Sequence, residues 1–405
     1  MPTSDAGSRA ANGSTADRAA ARVSGSGVGA QTILVLNSGS SSLKFGLFQK
    51  TGNDEALLFE GSATGIGKAD GSLTMRSLDG AVDMHQAHVM ESQPDALQKL
   101  AEGLAAYGHA QPAAIGHRIV HGGPHLRTHQ RLTDAVLRQL RDAVHFAPLH
   151  IPPALQLIDQ VSRIFSQAEQ FACFDNAFHH TMPARATHLP LPRRYADAGV
   201  VRYGFHGLSY ESLVQRMGAD LPSRAVFAHL GNGSSVCALH EGKSIDTSMG
   251  LTPTGGLPMS SRSGDLDPGV LLYLMRTEGL DADALEVLLN HDSGLAGLSD
   301  GESDMQALLV RSAAGDRVAT LAIDIFTTAV RKYIGAYAAL MGGLDMLVFT
   351  GGIGEHSEEV RRQICTGLGF LGITPDSAGR KVRVMKAEEE LQIARHCRAL
   401  MQASH

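Results

Sequence analysis

The chain of 405 residues is too long for one ordinary core and predicts two domains. A formal net charge of -6 with no basic tract excludes a nucleic-acid binder, and no apolar run reaches the roughly 18 residues of a membrane span. Cys173, Cys237, Cys365 and Cys397 are scattered without a CxxC spacing, so they give no zinc or disulfide signal and fit a reducing, cytoplasmic compartment.

Residues 1–31 are Ala, Ser, Gly and Arg with little to bury, which predicts a disordered extension; Asp5 and Asp17 count against a transit peptide. The stretch ILVLNSGSSSLKFGLF, Ile33 to Phe48, reads as two strands around a small-residue turn, and LLFEGSATG adds another strand. DALQKLAEGLAAYG has helical spacing and AAIGHRIV reads as a buried strand. Helices follow around Asp134–Val144 and Pro153–Phe165, and FACFD is a short strand ending in Asp175.

After the Pro/Arg-rich link LPLPRRYADAG, the segment AVFAHLGNGSSVCALHEGK repeats the opening hairpin. Aligning Gly233 on Gly39 puts Gly-Ser-Ser in register at both places. The echo predicts two α/β copies of one fold facing each other across a cleft. Helices are expected near Pro268–Arg276, Ala282–Leu289, Asp304–Ala314 and Asp316–Met341, followed by the strand MLVFT and a Gly-rich turn. The domains divide as 32–180 and 181–389, with a helix at about 390–405 packing back on the first.

Three turns could hold phosphate. In NSGSSS, glycine allows close approach and neighbouring N–H groups can point at one anion, but Lys44 lies beyond the serines and no GK[ST] is present. LGNGSS is of the same kind. FTGGIGEHS, read as a turn feeding a helix, suits nucleotide phosphate or adenosine but lacks GxGxxG spacing.

Several polar residues do not look like packing. Arg118 ends a buried strand between His117 and His121, as an ion-pair partner or a ligand clamp. His150 sits between prolines, Asp175 precedes His179 and His180, and Phe205 and His206 occupy a Gly-flanked turn. Arg262 lies between serines ahead of Asp265 and Asp267, which could equally cap the helix that follows. The histidine spacings match no zinc motif.

NSGSSSLKF, HRIVHGG, FDNAFHHTMP, YGFHGLS, HLGNGSS, DTSMGLTPTGG, SRSGDLDPG, FTGGIGE and EEELQIA, in this order from Thr32 to the C-terminus, resemble the acetate kinase family of the sugar kinase, Hsp70 and actin superfamily. The resemblance implies an α/β protein of two duplicated actin-like ATPase domains, each with a ribonuclease H-like core, around an interdomain cleft. It implies direct in-line transfer, ATP + acetate ⇌ ADP + acetyl phosphate, with Mg2+ (Mn2+ as the alternative ion), in a cytoplasmic homodimer without nucleic-acid or membrane partners. Propionate or butyrate kinase activity on the same scaffold is the alternative, and a non-catalytic actin-like nucleotide binder the more distant one.

Carried over residue by residue, the resemblance assigns catalysis to Asp175, Arg118, Arg262, His206 and His150. It assigns the acid's pocket to Arg118, Val120, Leu149, Phe205 and Pro253, and the metal to Asn37 and Glu389, with Glu388 and Glu390 as neighbours of the latter. ATP falls to Lys44, Ser40, Ser42, His229, Leu230, Gly231, Asn232, Gly233, Asp304, Met305, Gln306, Gly351, Gly352, Ile353, Gly354 and Glu355. Gln306 stands where the family usually has arginine, which predicts weaker nucleotide binding unless another cation, with Arg311 the candidate, substitutes. Leu208 and Tyr210 stand where threonine and histidine are usual, His356 replaces an asparagine, and the chain is short between Leu371 and Val382.

Overall fold

The computed structural model describes residues 31–39, 42–68, 70–80, 82–87, 90–374 and 381–403; the extension expected over 1–31, apart from Gln31, and Ser40 lie outside them. The first sheet contains β1 (Thr32–Ser38), β2 (Ser42–Thr51), β3 (Asp54–Thr64), β4 (Ser72–Ser77), β5 (Asp83–Ala87), β6 (Ala114–Ile119), β7 (Gln130–Arg131) and β8 (Glu169–Phe174), in the order β5-β4-β3-β2-β1-β6-β8-β7. The second contains β9 (Arg224–Leu230), β10 (Ser234–His240), β11 (Lys243–Thr247), β12 (Met346–Thr350) and β13 (Val382–Val384), in the order β11-β10-β9-β12-β13.

The two sheets share one plan. In each, an antiparallel meander is followed by two strands parallel to its first member: β3-β2-β1-β6-β8 in one, β11-β10-β9-β12-β13 in the other. This is the duplicated actin-like arrangement expected from the sequence.

Both faces of the parallel strands are covered, which is why their residues are apolar in unbroken runs. On β1, Leu34 and Leu36 pack with Leu97, Leu100 and Leu104 of the helix Gln93–Ala106. Ile33 and Val35 face the other way, onto Ile393, Ala394 and Cys397 of the helix Glu389–Ala403. Gly116 of β6 permits that contact: a Cβ there would lie 2.5 Å from Ile393 and 2.7 Å from Cys397. In the second lobe, Ala322, Phe326, Val330 and Ile334 of the helix Arg317–Met341 seal Val226, Ala228 and Phe349. Asp316 caps that helix by accepting from the Val318 and Ala319 N–H groups, and Gly342, at φ 68, ends it.

Three expectations change. The hairpins differ in length: Ser38 faces Leu43 in the first, but Leu230 faces Ser234 in the second. With strand ends matched, Gly231 and not Gly233 takes the place of Gly39. FTGGIGEHS is not a simple turn, since Gly351–His356 is itself a short helix, entered through Gly351 at φ 77. Ser357 then caps a second helix, Glu358–Thr366. The helix expected from Pro153 starts at Ile151, because proline is tolerated in a first turn.

Candidate active site

The carboxyl ends of the parallel strands deliver the polar residues, as open α/β sheets generally do. Leu36 of β1 faces His117 of β6, so Asn37 lies beside Arg118, and Asp175 follows directly on β8. Arg118 donates from NH1 to Asn37 Oδ1 at 3.1 Å and from NH2 to Asp175 Oδ2. Its Nε stands 3.8 Å from Glu389 Oε2, and Asn37 Nδ2 donates to Glu390 Oε1 at 3.1 Å. Burial alone would lower the Arg118 pKa, but Asp175 and Glu389 hold it above its usual value. Glu389 is pushed up by burial and by the charges of Asp175 and Glu390. Asp175 is buried, and its Oδ1 has no hydrogen-bond partner.

The second lobe supplies the opposite wall. Arg262 is largely buried, and NH1 donates to Pro253 O at 3.2 Å; among the described residues no carboxylate pairs with it. Burial and the charge of Arg118 both depress its pKa, so the two cations lie near enough to repel. Asp175 and Glu389 offset the charge of Arg118, whereas the charge of Arg262 is left to attract an anion in the cleft. His206 occupies the left-handed region at φ 58, ψ 23, immediately before the helix Gly207–Met217. For a non-glycine residue that conformation costs about 1–2 kcal/mol and marks a held geometry. Its ring stacks on His229 with centroids 4.2 Å apart, and its Nδ1 lies 2.8 Å from Ser235 Oγ. Burial, then His229, Arg118 and Arg262, keeps His206 far below its ordinary pKa. Burial, then Arg262 and Arg118, brings His150 to about 4. Both histidines are therefore neutral at pH 7.

One cleft of ≈ 1540 Å³ joins these walls. It is lined by Asn37, Ser42, Lys44, Arg118, Val120, Leu149, His150, Asp175, Phe205, His206, His229, Gly231, Asn232, Gly233, Pro253 and Arg262. Asp304, Met305, Gln306, Gly351, Gly352, Ile353, Glu355 and Glu389 line it too. Leu230 does not: it is fully buried in the second core. Gly354 is buried beneath the cleft floor, against Ala228 O and Leu230. Asp304 also caps the helix Met305–Ala313, accepting from Ala307 N at 2.8 Å, and Glu355 Oε1 braces its own turn by accepting from Gly351 N at 3.0 Å. Arg311 is not a free substitute cation, because it is tied to Asp316 Oδ2 at 2.7–2.8 Å and to Ser299 O at 3.2 Å. Asp267 caps the helix Pro268–Thr277, and Asp265 accepts from Gly256 N and Tyr333.

Glu390 was considered in sequence only as a neighbour of Glu389, yet it is the group that holds the Asn37 amide. Ser235 and Tyr210, behind His206, carried a signal only as part of GNGSS and as an unusual residue after the turn. His179 and His121, whose spacing matches no zinc motif, are held by hydrogen bonds: His179 bridges Ser244 Oγ and Phe205 O, and His121 meets Leu251 O and Gly123 N.

Two duplicated lobes, with acids, arginines and small-residue loops at the facing strand ends, define the chain as a protein of the actin-like ATPase fold. The chain belongs to the acetokinase family, whose sequence model matches residues 32–396. An acetate kinase of Treponema denticola is 38% identical over 397 residues, spanning 91% of this chain and 99% of that protein. The crystal structure of a propionate kinase from Francisella tularensis superposes with a TM-score of 0.85 at 34% identity, covering 91% of this chain and 100% of that one. The acetate kinase of Porphyromonas gingivalis follows with a TM-score of 0.80 at 33% identity, covering 92% and 100%.

Proposed function

We propose that this chain is an acetate kinase that transfers the terminal phosphoryl group of ATP directly to the carboxylate of acetate, reversibly. The observation that carries the reading is the pair of buried guanidiniums, Arg118 and Arg262, of which only the first has carboxylate partners. A phosphoryl group in flight is planar and anionic, and its transfer needs positioning and charge stabilisation more than covalent help. The acceptor carboxylate is already ionised near neutral pH, so no general base is required. Neutral His206 adds a donor without adding a third mutually repelling cation. Val120, Phe205, Pro253 and the exposed Leu149 all line the cleft and are apolar, which supports their receiving a short acid's alkyl end.

Nucleotide phosphates fit the Gly231–Gly233 loop and adenosine the Gly351–Ile353 turn. For a divalent ion the first lobe offers Asp175 Oδ1, unpartnered among the described residues, and the carboxylates of Glu389 and Glu390, oxygen donors of the kind Mg2+ or Mn2+ takes, though the three do not lie together as a ready ligand cluster. Asn37 Oδ1 already accepts from Arg118 but keeps a second lone pair. When bound, the ion would neutralise phosphate charge. Exposed apolar side chains gather on the second lobe, among them Val270, Leu272, Tyr273 and Met275 of one helix, which supports a homodimer joined there. The buried free cysteines suit a reducing cytoplasm, and no helix among the described residues is long and apolar enough to cross a membrane.

Propionate is the second reading, favoured by the likeness to a propionate kinase structure. A single methylene is worth only about 1–3 kcal/mol in such a pocket. Trapping acyl phosphates as hydroxamates, with acetate, propionate and butyrate in turn, tests both. A higher kcat/KM for propionate or butyrate would overturn the acetate assignment, and no product with any acid would overturn the kinase reading.

A further inference from the structure

His206 is the residue whose state matters most for a neutral donor in the cleft, and its surroundings decide which nitrogen carries the proton. Nδ1 lies 2.8 Å from Ser235 Oγ, and Tyr210 Oη lies 2.5 Å from the same oxygen. Tyr210 and Ser235 are both fully buried. Tyr210 sits one helical turn past His206, its N–H donating to His206 O at 3.1 Å. The Nε2 edge faces the other way, toward the phosphate-side loop: a Cβ on Gly233 would lie 3.2 Å from Nε2 and 3.8 Å from Arg262 NH1.

A serine hydroxyl has one proton, and accepting from both partners would leave that proton buried and unpaired, so two arrangements remain in which it is directed at a partner. In the first, Tyr210 donates to Ser235, Ser235 donates to Nδ1, and Nε2 carries the ring proton into the cleft. In the second, Nδ1–H donates to Ser235, and Ser235 donates to Tyr210. The second arrangement leaves the Tyr210 proton buried, with no acceptor for it among the described residues. An unpaired buried donor costs about 1–3 kcal/mol, which selects the first arrangement.

We propose that Tyr210, acting through Ser235, is a positioning residue for phosphoryl transfer: it holds His206 in one orientation, with the proton on Nε2 facing the phosphate-side loop and Arg262. The proposal rests on the kinase reading above for its catalytic consequence, but not for the proton placement. The phenol does not touch substrate; it aims the group that does. The left-handed backbone of His206 presents the ring to the cleft, and the Tyr210–Ser235 chain fixes its rotation.

The test has two arms. In wild-type protein labelled with 15N-histidine, the His206 nitrogen shifts should show Nδ1 unprotonated and Nε2 protonated; a protonated Nδ1 would overturn the proposal, whether or not acyl phosphate is formed. In the kinetic arm, Tyr210→Phe keeps the ring and removes only the hydroxyl. It should lower kcat roughly tenfold while KM for acetate and ATP stays within about twofold. The acid limb of its pH profile should move to higher pH, because Ser235 is then free to accept from a protonated Nδ1. Ser235→Ala should lower kcat alike, and adding Tyr210→Phe to it should cost nothing more. Wild-type kcat and an unmoved pH profile in Tyr210→Phe would refute the positioning role. Wild-type protein with the expected nitrogen shifts but no acyl phosphate would refute the kinase reading instead.

Discussion

Arg118 donates to Asp175 across the ends of two adjacent parallel strands, and the same guanidinium holds the Asn37 side chain on the strand at its other side. Lysine offers a point charge without the planar fork and cannot reach both neighbours in this geometry. Arg118→Lys is therefore expected to lower kcat on the order of 10³-fold, with the folded state retained. Arg118→Ala should also destabilise the protein by about 3–5 kcal/mol, because Asp175 is left buried without its partner. Hydroxamate kinetics and urea unfolding read the two effects separately. An Arg118→Lys enzyme within threefold of wild type would remove the arginine from the reaction.

Gln306 is exposed on the cleft wall, two residues past Asp304, at the position where the family resemblance implies arginine. Arg311 does not replace it, being committed to Asp316 and Ser299. Gln306→Arg should lower KM for ATP roughly tenfold, about 1.4 kcal/mol, by adding a charge-assisted contact to phosphate. KM for acetate should not move. Equal changes in both constants would show that residue 306 acts on cleft geometry and not on the nucleotide.

Asp175 and Glu389 both stand beside Arg118, with Glu390 next in the chain, and these carboxylates are the metal donors proposed above. Glu389→Gln should weaken Mg2+ binding by on the order of 10- to 100-fold in calorimetry without nucleotide. Chelation of Mg2+ should abolish acyl phosphate formation, and Mn2+ should restore it. Unchanged Mg2+ affinity in Glu389→Gln would move the ion away from this corner.

Much of this arrangement was legible because it lies at the ends of apolar runs. β1, β9 and β12 are unbroken apolar stretches, and the polar residue that stops each run enters the cleft or borders it. Arg118 and Asp175 were read from the ends of the neighbouring strands β6 and β8, whereas Asn37 was assigned only through the family resemblance; the three side chains meet. The small-residue loops were legible as well, but not their lengths, since a turn's residue count depends on which strand residues pair. The Tyr210–Ser235 pair was hidden for a different reason. It joins a helix residue to a strand residue 25 positions away, and no local pattern encodes a contact across two elements. Likewise Arg311 looked like a free cation until its partner on the next helix cap was visible. The short strands β5 and β7 escaped because edge strands carry little of the buried alternation that marks a strand.

The histidines also set how the fold responds to acid. His117 and His179 are buried, and burial first of all brings each to about 4. His117 Nε2 donates to Gln170 Oε1 at 2.7 Å; His179 bridges Ser244 Oγ and Phe205 O. In the unfolded chain each takes its proton near 6.5, before the folded form does. The unfolded state then binds more protons, so stability is complete above about pH 6.5 and falls as pH drops toward 4. Each group can account for about 3 kcal/mol across that window, at most about 1.4 kcal/mol per pH unit. Urea midpoints measured at pH 7, 6 and 5 should fall steadily, well above the range where carboxylates titrate. His117→Gln, which keeps a donor for Gln170 but cannot titrate, should shallow that slope by about one proton. Midpoints that stay level from pH 7 to pH 5 would mean that these imidazoles admit a proton, or water, without unfolding the lobes around them.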